Sequence, residues 1–562
     1  MEEDIQVGDD LRDDTGVAGS GMQWLAAAAV AAPLLAACGG GGGDVSGARW
    51  AGSVSGPDTP EQAARFMAQA TLGARRQDLD TLQAMGYAAW LEDQFNQPRS
   101  QSHFDWLLAN GYGNESFRNS TAGLDNSIWR KFITSPDALR QRMTLALSEI
   151  LVVSVLGVDA TFRQFAVANY LDILEANAFG NYRQLLQQVT LSTAMGYYLT
   201  YRGNARASAQ GSQPDENYAR ELMQLFTIGL VQLDPEGRVR PGSPETYGQA
   251  DVSGLARVFT GWNLDTTGLA QPLPPEVHRR PMVQSGNRYE TGSKSFLGVT
   301  LPAGTPAAAA LSTALDTLFN HPNLPPFVGR QLIQRLVTSN PSPAYVGRVA
   351  ATFADNGRGV RGDLQAVLRA ILLDPEARDA ATAAAPTFGK LREPVVRFLQ
   401  WARTFGASSA SGVWAIGDLS DAGNRLGQSP MRSPSVFNFF RPGYVPPNSA
   451  VAQAGLEGPE FQITNESSVA GYLNFMQNAI AGSSVGDVRA DYGALLALAP
   501  DSRALLDEIN LLLAARQLSA PTLAALKTAL DTVPVATDAG RRNRVQAALL
   551  LVLACPEYLV QK

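Results

Sequence analysis

The chain has 562 residues, of which 45% are hydrophobic and 17% charged, a composition typical of a globular protein large enough for two or three domains. The formal net charge of −7 comes almost entirely from the first 38 residues, which hold seven acids against one base, Arg12. The residues after Cys38 hold 44 basic and 45 acidic side chains. This near balance gives no basic footprint, so we expect no nucleic-acid partner and no strong attraction to anionic lipid.

The N-terminal region resembles the leader of a bacterial lipoprotein. Residues 22–37 (MQWLAAAAVAAPLLAA) are an apolar stretch too short to span a bilayer comfortably and suited to the core of a signal peptide. The stretch ends in Leu35-Ala36-Ala37-Cys38, which resembles a lipobox, and a glycine run typical of a flexible tether follows at 39–43. The leader departs from the pattern in one respect, because the residues before the apolar core are acidic rather than basic.

The lipoprotein resemblance implies a cellular location and a lipid anchor. Cleavage before Cys38 would leave its thiol to carry the lipid, so residues 1–38 are predicted to be a signal peptide and 39–58 a tether. The protein would then sit in the cell envelope, at the periplasmic or outer-membrane face, and contact the membrane through the lipid anchor alone. Cys555 would be a lone thiol, and its apolar surroundings predict a buried position.

From Thr59 onward the sequence predicts helices separated by Gly and Pro. Thr59-Pro60-Glu61 supplies an N-cap and a proline at the first helical position. Further helical segments are predicted at 78–85, 87–95, 137–153, 162–178, 325–338, 344–354, 361–373, 500–514, 520–531 and 539–560. We assign 59–460 to a helical core domain and 461–562 to a C-terminal helical unit that packs on the core.

Three stretches interrupt this helical pattern. Residues 232–248, 264–305 and 427–460 are rich in turn-forming residues and lack a helical period. Asp234-Pro-Glu-Gly237 predicts a turn that could close a short hairpin. The predicted fold class is therefore mainly α, a multi-helical globular body with long central loops and small β-hairpins. Long ordered loops on a helical scaffold often carry functional sites.

Several segments carry strings typical of one protein family. They are 63–73 (AARFMAQATLG), 139–150 (LRQRMTLALSEI), 178–181 (AFGN), 213–230 (QPDENYARELMQLFTIGL), 249–252 (QADV), 260–262 (TGW), 292–298 (GSKSFLG), 390–394 (KLREP) and 433–443 (SPSVFNFFRPG). Together these stretches resemble the family called domain of unknown function 1800. The resemblance covers roughly residues 59 to 562 and implies an exported bacterial protein, without an established activity. Members are often encoded beside domain of unknown function 1501, which suggests an exported partner of that family.

The sequence lacks the common motifs that identify a catalytic site or a metal-binding site. It contains no nucleophile elbow, no phosphate loop, no dinucleotide fingerprint, no H-E-x-x-H and no C-x-x-C. Its three histidines, His103, His278 and His321, are far apart and none has a second histidine at ligand spacing. We therefore predict no metal site and a structural role for each histidine. Many relatives place histidines where this chain has Ser192 and Phe226, so a metal site of that kind is not expected here.

The most informative polar residues lie on the helix predicted to begin near Asp215. Asn217, Arg220, Glu221 and Gln224 share an arc of about 100° on that helix. Glu216 precedes Arg220 by four residues, a spacing suited to a surface ion pair.

Two interpretations of this polar face remain open. It is either a solvated helix surface, or a site in which Glu221 acts as acid and base, Arg220 binds an anion and Asn217 orients substrate. Glu216, Gln224 and the loop residue Lys294 are candidate binding residues, although a loop-folding role is the favoured alternative for Lys294.

These observations leave two functions of different class. The first is an assembly protein that binds another exported protein, for which the family resemblance suggests a domain of unknown function 1501 partner. The second is an envelope hydrolase that uses Asn217, Arg220 and Glu221. Since the sequence pairs no nucleophile with a base, the first function is favoured.

Overall fold

A computed structural model of the chain describes residues 56–208 and 210–562. The predictions for the leader, for Cys38 and for most of the tether lie outside the described residues. The structure is 52% helical with only short two-stranded sheets, which confirms a mainly α fold. In chain order the helices of this part, α1 to α25, are Pro60–Ala70, Arg76–Met85, Tyr87–Asn96, His103–Ala109, Leu124–Thr134, Ala138–Ile150, Arg163–Ala176, Tyr182–Thr190, Thr193–Tyr198, Asn217–Gln224, Gln249–Ala256, Ala307–Asn320, Leu324–Leu336, Pro343–Ala354, Leu364–Leu372, Pro375–Arg378, Ala380–Ala384, Pro394–Thr404, Ala450–Gln453, Glu466–Ile480, Gly493–Leu498, Ser502–Ala514, Ala520–Asp531, Asp538–Ala554 and Pro556–Leu559.

Short antiparallel ladders tie the loops together. The strands β1 to β8 are Trp262–Asn263, Val283–Gln284, Lys294–Phe296, Val299–Leu301, Lys390–Leu391, Ser408–Ser409, Val488–Arg489 and Val560–Gln561. They pair as β1–β2, β3–β4, β5–β8 and β6–β7. The predicted turn at 234–237 is also present, since Gly237 N donates to Asp234 O at 3.0 Å and Leu233 bridges Val239.

Local capping signals set the ends of the first helices. The Thr59 side chain accepts a hydrogen bond from Gln62 N, and Pro60 occupies the first turn of α1 as predicted. Gly86 adopts a φ of 79° between α2 and α3. Glycine reaches this left-handed value without steric strain because it has no Cβ atom. The helices predicted at 78–85 and 87–95 therefore appear within two residues of their expected bounds.

The core surrounds α7, which is buried on nearly every side and contacts α4, α6, α8 and α9. A helix buried all round can carry apolar residues on all its faces. The C-terminal helices join the same core, because Leu505 and Ile509 of α22 and Val545 and Leu549 of α24 lie in the apolar cluster that contains α7. The predicted division at residue 460 stays a prediction.

Cys555 is buried, as expected. Among the described helices, none combines the length and apolar character needed to cross a bilayer.

Candidate functional site

The predicted polar helix is α10, and one of its sides faces the core as expected. Tyr218 and Leu222 are fully buried. On the other side the Glu216–Arg220 ion pair forms as predicted, with 3.2 Å between Arg220 Nη2 and Glu216 Oε2. Asn217 is exposed at the first turn of the helix.

Two side chains of α11, which the sequence reasoning did not single out, complete the contacts of this ion pair. Gln249 Nε2 donates to Glu216 Oε2 at 2.8 Å, and Ser253 Oγ donates to Glu216 Oε1 at 2.6 Å. Arg220 also donates to Gln249 Oε1 at 3.1 Å. The hydrogen bond from Ser253 lowers the pKa of Glu216 and keeps it ionised. Glu216 and Arg220 thus hold α10 against α11.

Glu221 differs from its neighbours because it is buried, with 7% of its surface exposed. Its Oε2 atom accepts no hydrogen bond from the described residues. Burial raises the pKa of this carboxyl group, and the charge of Arg220 opposes the shift only in part. Burial raises the pKa of Tyr198 to about 12, and the Glu221 carboxylate adds to this shift. Burial also raises the pKa of Tyr247, again with a contribution from the Glu221 carboxylate, and the buried Tyr247 hydroxyl has no hydrogen-bond partner in the part of the chain that the structure describes. A buried acid beside two phenols is suited to donating a proton.

The two other predicted binding residues, Lys294 and Gln224, lie in different environments. Lys294 is buried in β3, where its Nζ donates to Gly292 O at 3.1 Å and lies 4.6 Å from the centre of the Tyr289 ring. These contacts fit the loop-folding role. Gln224 is half-buried at the last turn of α10. Their predicted binding roles stay predictions.

A buried cluster of charged residues joins two family-matching stretches, 139–150 and 390–394, and was not predicted from the sequence. Lys390 Nζ lies 3.2 Å from Glu393 Oε1 and 3.2 Å from Glu460 Oε1. Arg335 Nη1 lies 3.3 Å from Glu149 Oε2. All five side chains are at most 7% exposed. We call these residues the Glu393 cluster.

The two carboxyl groups at the centre of the cluster titrate in opposite directions. Burial raises the pKa of Glu149 well above its ordinary value, and the neighbouring Glu393 carboxylate adds to the effect. For Glu393 burial is again the largest single effect and acts in the same direction, but the charges of Lys390, Arg335 and Arg142 and a hydrogen bond from Glu149 together outweigh it and lower the pKa. One protonated and one ionised carboxyl group therefore lie side by side.

The space beside Glu149 is too small for a substrate. A cavity of about 10 Å³ lies there, enough for about one water molecule. The Ser429 and Ser433 hydroxyls and Asn438 Nδ2, which border it, have no hydrogen-bond partner among the described residues. The Glu393 cluster is therefore a polar part of the core rather than an open pocket.

A larger cleft of about 490 Å³ opens between α2, α3, the 132–138 turn and the end of α18. Arg403 shapes it by donating to four main-chain carbonyls, those of Gly73, Phe132, Ile133 and Ser135, at 2.9–3.3 Å. Gly73 fits there because a Cβ atom would lie 2.8 Å from Gln400 O and 2.9 Å from Arg403 Cβ. The cleft walls are thus fixed before any ligand arrives, and the volume is that of a ligand site.

One group of possible metal ligands is already neutralised by the protein. A nitrogen of His103 and carboxylate oxygens of Asp172 and Glu175 lie within 4.8 Å of one another. However, the fully buried Lys131 places its Nζ 2.5 Å from Glu175 Oε2, and Arg99 Nε lies 3.2 Å from Glu175 Oε1. Adding a divalent ion would leave an excess of buried positive charge, so the group is better explained as a structural ion network.

The other two histidines occupy structural positions. His278 Nε2 bonds Thr161 O at 2.7 Å, its Nδ1 lies 3.1 Å from Thr193 Oγ1, and burial lowers its pKa to about 4. His321 is the C-terminal cap residue of α12, and its Nδ1 accepts from Asn323 N at 3.1 Å.

Fold and site together define a mainly helical protein with a fixed polar cleft, a buried acid on α10 and an ionic core cluster. A family model described as "Protein of unknown function (DUF1800)" matches residues 65–560, so the chain belongs to that family. The comparisons found no similar curated protein and no similar solved structure.

Proposed function

We propose that this protein is an exported, lipid-anchored envelope protein that binds another exported protein through the loop 441–456. A member of domain of unknown function 1501 is the partner that the family resemblance suggests. The observation that carries the proposal is this loop, in which no residue is buried and which is almost uncharged. Arg441 is its only charged residue among 16, whereas 17% of the whole chain is charged.

The loop offers apolar surface to a partner. Val445 is 41% exposed, and Pro442, Pro447 and Ala450 are exposed as well. Exposed apolar side chains gathered in one segment favour contact with another protein. Because the loop lacks acids and lysines, we expect the complex to resist added salt.

Ionic and polar contacts hold the base of the loop. Gly458 N donates to Tyr444 O at 2.9 Å across the base. Glu457 accepts from Arg330 and from Gln334, each at 2.8 Å, and its main chain exchanges two hydrogen bonds with Asn340 at 2.8 and 2.9 Å. A loop held in this way loses little conformational entropy on binding, which favours a specific complex.

The test is crosslinking and affinity capture of the lipidated protein from its native envelope, read by mass spectrometry. We expect one stoichiometric exported partner, and we expect Val445→Glu to reduce its recovery at least about tenfold, since a charge would be buried in an apolar contact. Val360→Glu is the matched control, because Val360 is 44% exposed in a different loop. The intact mass of the captured chain also reports whether Cys38 carries a lipid. Unchanged recovery with Val445→Glu would refute the loop as the contact, and an unmodified Cys38 would refute the anchor.

The buried acid of α10 favours a second candidate function, an envelope hydrolase. Glu221 has a raised pKa, and its Oε2 atom has no hydrogen-bond partner within residues 56–208 and 210–562, as suits a general acid. If the protein hydrolyses ester, amide or glycoside substrates, we expect Glu221→Gln to lower kcat about 10²–10⁴-fold. Glu466→Gln, an exposed change on α20, should leave the rate unaltered. Turnover that survives Glu221→Gln would rule this acid out.

A further inference from the structure

The cleft of about 490 Å³ holds two charges that the protein leaves without an ionic partner. One is Arg403, whose guanidinium meets only main-chain carbonyls at hydrogen-bond distance. The other is Asp93, whose carboxylate accepts only from the neutral amides of Gln94 and Gln97, at 3.4 and 3.1 Å. Among the described residues neither charge has an opposite charge within 4.0 Å.

We propose that this cleft binds a short peptide with free termini, its ammonium group at Asp93 and its carboxylate at Arg403. Arg403 has five N–H donors and uses four of the possible bonds within the protein, which leaves one donor for a ligand carboxylate. Asp93 is exposed and its carboxylate can accept further hydrogen bonds from an ammonium group. A zwitterion satisfies both charges and leaves the cleft neutral.

The other charges near the cleft compensate Arg403 only in part. Burial is the largest effect on its pKa and lowers it to about 10, whereas Asp78 and Asp137 raise the pKa and Arg75 lowers it. Arg75 and Asp78 pair with each other, with Nη2 to Oδ1 at 3.3 Å, and Asp78 also accepts from Arg75 N at 2.8 Å. This pair neutralises itself at the mouth of the cleft. A ligand with a single net charge would therefore leave either Asp93 or Arg403 uncompensated.

The uncharged lining suits a peptide between its two termini. The Thr134 hydroxyl donates its proton to Arg130 O and the Ser135 hydroxyl shares a hydrogen bond with Ser100, so each oxygen can accept from a ligand N–H group. Thr71 Oγ1 already accepts from Gly73 N at 3.2 Å and has one further lone pair. Met67 and Ile133 add apolar surface for a small side chain. The volume is within the range of small-ligand sites and accommodates a few residues.

Titration calorimetry on the full-length protein in detergent tests the proposal, with trialanine as the probe. We expect trialanine to bind, and N-acetylation or C-terminal amidation each to weaken it at least about tenfold through loss of one charge pair. Asp93→Asn should weaken trialanine by a similar factor and leave acetylated trialanine unaffected. Asp80→Asn is the matched control, since Asp80 is exposed on α2 and pairs with Arg76 at 3.4 Å outside the cleft.

The readout distinguishes peptide binding from other uses of the cleft. Equal affinity for free and blocked peptides would overturn the proposal, as would preferential binding of a neutral trisaccharide or an absence of heat with every peptide. Arg403 itself is left unaltered, because its four carbonyl contacts make loss of folding the expected result of replacing it. The outcome does not depend on the loop 441–456, so either proposal can fail alone.

Discussion

Replacing Glu393 with alanine is expected to lower the free energy of unfolding by about 3–5 kcal/mol. Glu393 is fully buried. Its Oε1 accepts a hydrogen bond from Lys390 Nζ at 3.2 Å, and its Oε2 accepts one from Gln428 Nε2 at 2.9 Å. Alanine would leave the lysine charge buried with only Glu460 as an ionic partner. Chemical denaturation followed by circular dichroism and by tryptophan fluorescence measures the loss.

A matched control separates this effect from the general cost of losing a carboxylate. Glu466→Ala, at an exposed position on α20, should change the free energy of unfolding by no more than about 0.5 kcal/mol. A loss below about 1 kcal/mol for Glu393→Ala would contradict the buried ion pair.

Trp129→Ala is the second change expected to have a large effect, about 3–5 kcal/mol. The indole is fully buried between α5 and α18, with its ring edge-on to Phe398 at 5.4 Å between centroids. Its Nε1 donates to Gly417 O at 2.8 Å. Alanine would open a cavity and remove the donor from that carbonyl.

Thermal denaturation compares this variant with Leu156→Ala, whose side chain is 66% exposed. The control should move the free energy of unfolding by about 0.5 kcal/mol at most. If Trp129→Ala shifts Tm no more than the control does, the packing of α5 against α18 is not as the structure has it.

Much of the fold could be predicted because its signals are local. Thr59 and Pro60 begin α1 and Gly86 separates α2 from α3 through backbone preferences that act over a few residues. The helices predicted at 344–354, 500–514 and 520–531 appear as α14, α22 and α23 within two residues at each end. Apolar periodicity and breaker residues were sufficient for these elements.

The candidate site was less predictable. The spacing correctly indicated the Glu216–Arg220 pair, because an interval of four residues fixes two side chains on one helix face. It could not distinguish Glu221, which is 7% exposed, from Asn217, which is exposed, since both lie within the same polar arc. Which of these side chains is buried from solvent depends on the elements that pack around α10, and these cannot be identified from the spacing alone.

The helical class, the bounds of several helices and the family could be read from the sequence, because these depend on local periodicity, capping and motif strings. The Glu393 cluster and the cleft could not, because they form only when distant segments pack together. Lys390 meets Glu460 across 70 residues of chain, and Arg403 meets the carbonyl of Gly73 across 330. Contacts of such separation leave no periodic trace, so the opposite pKa shifts of Glu149 and Glu393 follow only from which charges the folded core brings together.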